Sequence, residues 1–282
     1  MGNEFSLTTD DSRFTFTIAD YLLILLSHFI IMNKIILITG ATSGFGKAIA
    51  EKFAAAGWNC IITGRRAEKL HALATDLQSH YDIQVLPLVF DVQKRSEVFA
   101  ALENLSEDWH NIDVLVNNAG LALGRDSFEN ANLDDWDTMI DTNVKGMMYV
   151  TKAVLPFMTK RKKGHIINMG SVAGKLVYKE GNGYCASKHA VDALSKAMRI
   201  DLLPHHIKVT AIHPGAAETE FSMVRFKGDE SKAKQVYEGF TPLHAEDIAD
   251  ITFYCVNLPE NVCINDLVVS CTAQADGIYI HK

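Results

Sequence analysis

Residues 34–63, KIILITGATSGFGKAIAEKFAAAGWNCIIT, leave a chain few choices of fold. KIILIT is a continuous apolar run with β-branched residues, the pattern of a strand buried on both faces of a parallel sheet. It runs straight into GATSGFG, where Gly40, Gly44 and Gly46 let the backbone turn tightly and approach a pyrophosphate. That group then sits at the positive N-terminal end of the helix KAIAEKFAAAG. WNCIIT supplies a second strand and completes a βαβ unit. A glycine-rich turn alone is a weak signal; between a strand and a helix it predicts a dinucleotide site.

The alternation continues to the C-terminus. IQVLPLVFDV, IDVLV, GHIINMGS, IKVTAIHPG and DLVVS read as further strands, separated by helical stretches such as KRSEVFAALENL, DDWDTMIDTNVKGMMYVTKAVLPFM and AEDIADITFYCVNL. This predicts a single α/β domain over residues 32–282, a Rossmann-type doubly wound parallel sheet of seven strands with helices on both faces. Such sheets bind ligands at the carboxyl ends of their strands, where the glycine turn, Asn118, Ser171 and Pro214 all fall. The stretch AAETEFSMVRFKGDESKAKQVYEGF is polar and poor in strand signals, which suits a mobile flap over a substrate.

Three complementary side chains stand out in GSVAGKLVYKEGNGYCASKHA: Ser171, Tyr184 and Lys188. A phenol titrates near pH 10, so an acid/base tyrosine at neutral pH needs positive charge beside its phenolate. On a helix through YCASKHAVDALSKAMRI, Lys188 lies one turn beyond Tyr184 on the same face. A shift of about three units requires roughly 4 kcal/mol, more than one solvated charge supplies, so a second positive charge such as an oxidised nicotinamide is expected. Ser171 adds a hydroxyl that donates to a carbonyl oxygen while Tyr184 transfers the proton.

Where an NAD-preferring site carries an acidic residue after its second strand, this chain has GRR. Arg65 and Arg66 suit a 2′-phosphate, with no carboxylate expected to compete at that position, and favour NADP. Asp91, closing the third strand, suits either the adenine amino group or a cap on the next helix. NNAG, with Gly120, suits close approach to a ribose or ring. Asn143 falls inside a helical stretch, where a local distortion holding a water accounts for its amide. Pro214 and Gly215 close the sixth strand at the level of a nicotinamide.

A formal net charge of −7 offers no basic footprint for nucleic acid, and no polybasic run suggests an anionic membrane surface. A small soluble substrate is the expectation. The five cysteines are odd in number and scattered, without ligand-type spacing; they read as reduced cytoplasmic thiols with no metal site. Residues 1–31 differ from the rest: a polar start precedes the apolar patch YLLILLSHFII, too short for a spanning helix and without a signal peptide's basic start. Met32 makes a natural start, so 1–31 read as a dispensable extension, with a peripheral membrane or partner contact as the alternative.

With these residues in place, the chain resembles the classical short-chain dehydrogenase/reductases from Met32 onward. The pattern T-G-x-x-x-G-x-G at 39–46, NNAG at 117–120, Asn143, Ser171, Tyr184-x-x-x-Lys188 and Pro214-Gly215 occurs in that family's order. The resemblance implies hydride transfer between a nicotinamide and a carbonyl or alcohol carbon. Tyr184 would be the acid/base and Ser171 would orient the substrate oxygen; Lys188 would bind ribose and lower the Tyr184 pKa, and Asn143 would hold a relay water. More narrowly, NNAGLALG, DDWDTMIDTNVKG and TEFSMVRFKGD are similar to the NADP-dependent 3-hydroxy acid dehydrogenases, which oxidise L-allo-threonine, serine and related 3-hydroxy acids and reduce malonic semialdehyde.

That likeness implies cofactor contacts at Gly40, Ala41, Thr42, Ser43, Gly44, Phe45 and Gly46. Others are implied at Arg65, Arg66, Asp91, Val92, Asn118, Ala119, Gly120, Tyr184, Lys188, Pro214, Gly215, Thr219 and Phe221. It also implies a homotetramer packed through the Asn143- and Tyr184-bearing helices. A 3-hydroxy or 3-oxo acid brings a carboxylate, for which Arg225 in the flap is the candidate partner, against an ordinary solvated loop arginine. Alternatives are reduction of other carbonyls, such as a 3-oxoacyl thioester or a xenobiotic ketone, and a silent NADP-binding sensor, which has no need of an acid/base tyrosine.

Overall fold

The computed structural model describes residues 34–282; the expected extension at 1–31 lies outside them. In chain order the main elements are β1 (Ile35–Thr39), α1 (Gly44–Ala55), β2 (Asn59–Gly64), α2 (Ala67–His80), β3 (Val85–Val89) and α3 (Arg95–Glu103). There follow β4 (Ile112–Asn117), α4 (Leu133–Ile140), a π-helical turn (Asp141–Gly146), α5 (Met147–Arg161), β5 (Gly164–Met169) and α6 (Asn182–Asp201). The chain ends with β6 (Ile207–Pro214), α7 (Glu220–Arg225), α8 (Glu230–Gln235), α9 (Ala245–Val256) and β7 (Asp266–Val269). Every strand expected from the sequence is present. They form one seven-stranded sheet in the order β3-β2-β1-β4-β5-β6-β7, with every neighbouring pair parallel.

The continuous apolar strands follow from burial on both sides. Alternate residues point to opposite faces: Ile36 and Ile38 of β1 enter one core with Phe53, Leu70 and Ile248, from α1, α2 and α9. Ile35 and Leu37 enter the other with Val98, Val154 and Met158, from α3 and α5. Phe53 anchors the first core, fully buried and edge-on to Trp58 at 5.0 Å and to Phe253 at 5.2 Å; its truncation to alanine costs about 3–5 kcal/mol. Pro87 lies in β3, which as an edge strand pairs with β2 alone and tolerates a residue with no N–H to donate.

Strand order reverses between β1 and β4, so their carboxyl ends diverge and open a crevice there. The flap is two short helices, α7 and α8, with Thr219 and Asp229 capping their first turns through their side chains. Among the described residues, no helix is long and apolar enough to cross a membrane.

Candidate active site

A cleft of about 1170 Å³ runs along the carboxyl ends of the strands. Every residue expected at the site lines it except Ala41, Gly46 and Asn143, which are buried behind its wall. At the turn after β1, Gly40 and Gly44 have φ of +67° and +51°, the left-handed region that favours glycine. A Cβ on Gly46 would strike the Gly40 carbonyl and the Asn118 amide. Asn118 itself stitches β4 to this turn: its Nδ2 donates to the carbonyls of Thr39 (2.9 Å) and Gly40 (3.1 Å). The backbone N–H groups of Asn118 and Ala119 donate to Thr39 Oγ1 at 3.0 and 2.9 Å. The first turn of α1 holds no acidic residue and no side-chain cap, so its N–H groups suit a dinucleotide pyrophosphate.

Beyond β2 the arginines depart from expectation. Apart from Glu68 in the first turn of α2, no carboxylate is near them in the sequence, but the fold brings two. Asp91 Oδ2 lies 3.6 Å from Arg65 Nη1, and Glu220 of the flap lies 2.8 Å from Arg66 Nη1 and 3.3 Å from Lys69 Nζ. Hydrogen bonds from Arg66 and Lys69 outweigh partial burial and hold Glu220 below the usual carboxylate range. Arg66 also donates to Thr42 Oγ1 and Ser43 Oγ, each at 2.8 Å, which points its guanidinium at the mouth of the glycine turn. Both arginines remain exposed, and Glu220 occupies donors of Arg66 that a 2′-phosphate would take. Asp91 acts on its own turn: Oδ1 accepts from the Gln93 N–H at 3.0 Å, while the residue before α3 is Lys94.

Ser171 emerges from β5, and its Oγ accepts from the Ala173 N–H at 3.1 Å. Tyr184 and Lys188 project from one face of α6; the Lys188 ammonium lies 5.9 Å from the Tyr184 ring centre and donates to the Met169 carbonyl at 2.8 Å. Both are buried. Phe221 closes over the Tyr184 ring at 5.6 Å. Arg225 is brought into the same space, its guanidinium 5.6 Å from the Tyr184 ring and 5.7 Å from that of Tyr178. A two-way link holds it: the Gly124 N–H donates to the Arg225 carbonyl at 3.0 Å, and Arg225 Nε to the Gly124 carbonyl at 3.4 Å.

The electrostatics add a cation that the sequence reading placed elsewhere. Burial pushes the Tyr184 phenol above its ordinary value, and the Ser171 hydrogen bond and Arg225 counteract it. Lys188 is itself pushed down by burial to about 8, so it still carries its charge at neutrality and loses it just above. Arg225 thus places a further positive charge beside Tyr184, in addition to the one anticipated from an oxidised nicotinamide.

The long helix expected around Asn143 is continuous from α4 to α5, and the expected local distortion is the π-helical turn that carries Asn143. The Asn143 amide is fully engaged: Oδ1 accepts from the Leu121 N–H at 2.8 Å, and Nδ2 donates to the Leu121 carbonyl (2.8 Å) and to Ser187 Oγ (2.9 Å). Its side chain ties the loop after β4 to α6. Gly120 packs so closely that a Cβ there would lie 3.2 Å from Asn143 Oδ1 and 3.4 Å from Lys188 Nζ.

The family model for short chain dehydrogenases matches residues 34–230. The chain belongs to the short chain dehydrogenase family. It is 46% identical over 250 residues to the NADP-dependent 3-hydroxy acid dehydrogenase of Salmonella typhi, covering 88% of this dehydrogenase and 99% of the relative. It is 45% identical over 245 residues to sulfoacetaldehyde reductase 2 of Chromohalobacter salexigens, covering 86% and 96% of the two chains. A solved structure, the closed form of serine dehydrogenase complexed with NADP+, superposes with a TM-score of 0.82 at 44% identity, covering 88% and 99%.

Several neighbours of the site in this dehydrogenase escaped sequence reasoning. Glu220 and Tyr178 touch the expected arginines only through tertiary folding, and nothing local marks them. Asp192 carried a signal: it follows Tyr184 and Lys188 at a further four-residue step on the inward face of α6.

Proposed function

We propose that this dehydrogenase transfers a hydride between NADP(H) and the hydroxyl-bearing carbon of small 3-hydroxy acids, interconverting them with 3-oxo acids. The observation that carries the reading is the Arg225 guanidinium, half-buried and within 6 Å of the Tyr184 ring, a spacing that suits a short substrate with an anion at one end and a reacting oxygen at the other. The names of its relatives support the substrate class and the cofactor.

When bound, NADP(H) supplies or accepts the hydride, and its oxidised ring adds positive charge beside Tyr184. The glycine turn and the N-terminus of α1 hold the pyrophosphate, and Arg65 and Arg66 the 2′-phosphate. Ser171 Oγ donates to the substrate oxygen. Tyr184 gives that oxygen its proton in reduction and removes it in oxidation. Burial keeps the phenol protonated in the free protein, ready for reduction; oxidation relies on Arg225, Lys188 and the cofactor to favour the phenolate. Arg225 anchors the carboxylate and fixes which carbon faces the hydride.

Initial rates with NADP and NAD on L-allo-threonine, L-serine and 3-hydroxypropionate, beside a Tyr184→Phe control, test this. Turnover with NADP that vanishes in the control is expected; retained NADPH binding without turnover of any 3-hydroxy acid overturns the substrate assignment. The sulfoacetaldehyde reductase likeness favours a second reading, in which Arg225 holds a sulfonate in the same place. Sulfoacetaldehyde belongs in the same assay. We read the protein further as a cytoplasmic homotetramer, which light scattering of the purified chain tests.

A further inference from the structure

Behind Ser171 lies a cluster of charged groups that the hydride-transfer scheme does not use. His213, fully buried at the end of β6, packs flat beneath the Ser171 turn, so closely that a Cβ on Gly170 would enter its ring. Its Nδ1 faces the Ser171 carbonyl at 3.3 Å. Its Nε2 has no hydrogen-bond partner and faces two carboxylates, Asp266 Oδ1 of β7 at 3.5 Å and Asp192 Oδ1 of α6 at 3.7 Å. Lys175, just past the 3-10 turn that follows Ser171, places its ammonium between them, 2.8 Å from Asp192 and 2.6 Å from Asp266. Lys196 takes the outer oxygen of Asp192 at 2.7 Å.

Both ring nitrogens of His213 thus face acceptors, and a neutral imidazole carries one N–H for the two sides. Asp266 and the inner oxygen of Asp192 therefore depend on the Lys175 ammonium. Two members bear on the active site: Lys175 closes the Ser171 turn, and Asp192 extends the Tyr184–Lys188 face of α6; Gly174, next to Lys175, packs directly against the Lys188 backbone.

We propose that Asp192, Asp266, Lys175 and His213 are positioning residues, in which one cation held between the two carboxylates keeps the Ser171 turn in register with Tyr184. Lys175 is the resident cation and His213 its substitute. The proposal rests on the catalytic reading of Ser171 and Tyr184 given above. Burial and the Lys175 ammonium together hold His213 below the ordinary histidine range, while Asp266, the Ser171 carbonyl and Asp192 pull it upward. Removing Lys175 deletes one depressing force and leaves two carboxylates facing an imidazole that accepts a proton from solvent.

The test compares Lys175→Met, Lys175→Arg and the Lys175→Met/His213→Asn double variant with the wild type between about pH 5.5 and 8.5, near the histidine range. In Lys175→Met, kcat is expected to fall about tenfold at pH 8, as for a misplaced catalytic group, while the NADPH dissociation constant stays within about twofold. The deficit closes as pH drops and His213 gains charge. Lys175→Arg tracks the wild type, and the double variant shows no recovery. A Lys175→Met deficit that is the same at every pH overturns the proposal. Should that variant fail to fold, Asp192→Asn serves: reduced kcat with no recovery in acid is expected, and unchanged kcat overturns the idea. NMR titration of the His213 ring in Lys175→Arg and Asp192→Asn against wild type reads the electrostatics without turnover: Asp192→Asn lowers it and Lys175→Arg leaves it near wild type, and an unmoved titration in Asp192→Asn refutes the substitute role. Absent wild-type turnover sinks the catalytic reading alone, and the ring titration still decides the cluster.

Discussion

Replacing Arg225 with alanine separates anion binding from proton transfer. At about 5 Å and an effective dielectric near 20, a guanidinium–carboxylate pair is worth roughly 3 kcal/mol. Arg225 is only half-buried, so solvent screening reduces that, and a charge-assisted hydrogen bond of about 2 kcal/mol is the working value. A loss of that size is about thirtyfold in kcat/KM for 3-hydroxy acids. The second consequence follows from the ring contacts: Arg225 opposes the upward push of burial on Tyr184, so its loss also shifts the ascending, acid-side limb of the pH–rate profile for oxidation to higher pH for every substrate. Assays of a 3-hydroxy acid and a neutral secondary alcohol, each across pH, resolve the two effects. The expected pattern is a thirtyfold loss for the acid, a few-fold loss for the alcohol and a common shift in the profile. Equal losses for acid and alcohol would refute the anion-anchoring argument, and an unmoved profile would refute the electrostatic one.

Arg66→Ala is expected to cost about thirtyfold in NADPH affinity with little change for NADH, whereas Glu220→Gln tightens NADPH about threefold by freeing Arg66; cofactor fluorescence titration measures both. His165, buried in β5 with Nε2 2.8 Å from Thr210 Oγ1, is pushed down by burial, and secondarily by Lys208, to about 3. A lowered histidine pKa means the unfolded chain binds the proton first, so stability present above about pH 6.5 drains away as pH falls toward 3. Urea melts at pH 7 and pH 4.5 are expected to differ by about 2–3 kcal/mol more in wild type than in His165→Leu; equal slopes contradict this. Deleting residues 1–31 is expected to leave kcat and membrane partitioning unchanged, and loss of either overturns their reading as dispensable.

The arrangement of strands was legible because each is a short apolar run between turn residues, and burial on both faces writes itself into composition without help from distant contacts. The glycine turn was legible for the same local reason: φ above zero and the absence of room for a Cβ are requirements of single positions. Ser171, Tyr184 and Lys188 could be picked out because a helix fixes the last two on one face and a strand end fixes the first.

Tertiary structure decided the electrostatics. Whether Arg65 and Arg66 stand alone or face Asp91 and Glu220, and whether Arg225 joins Lys188 beside Tyr184, depends on elements far apart in the chain. The cluster of Lys175, Asp192, His213 and Asp266 is drawn from a turn, a helix and two strands, and each member alone reads as an ordinary residue. Backbone conformation is set by neighbours a few residues away, so a sequence displays it; a charge responds to everything within a few ångströms and to its own burial, and only the folded chain determines either.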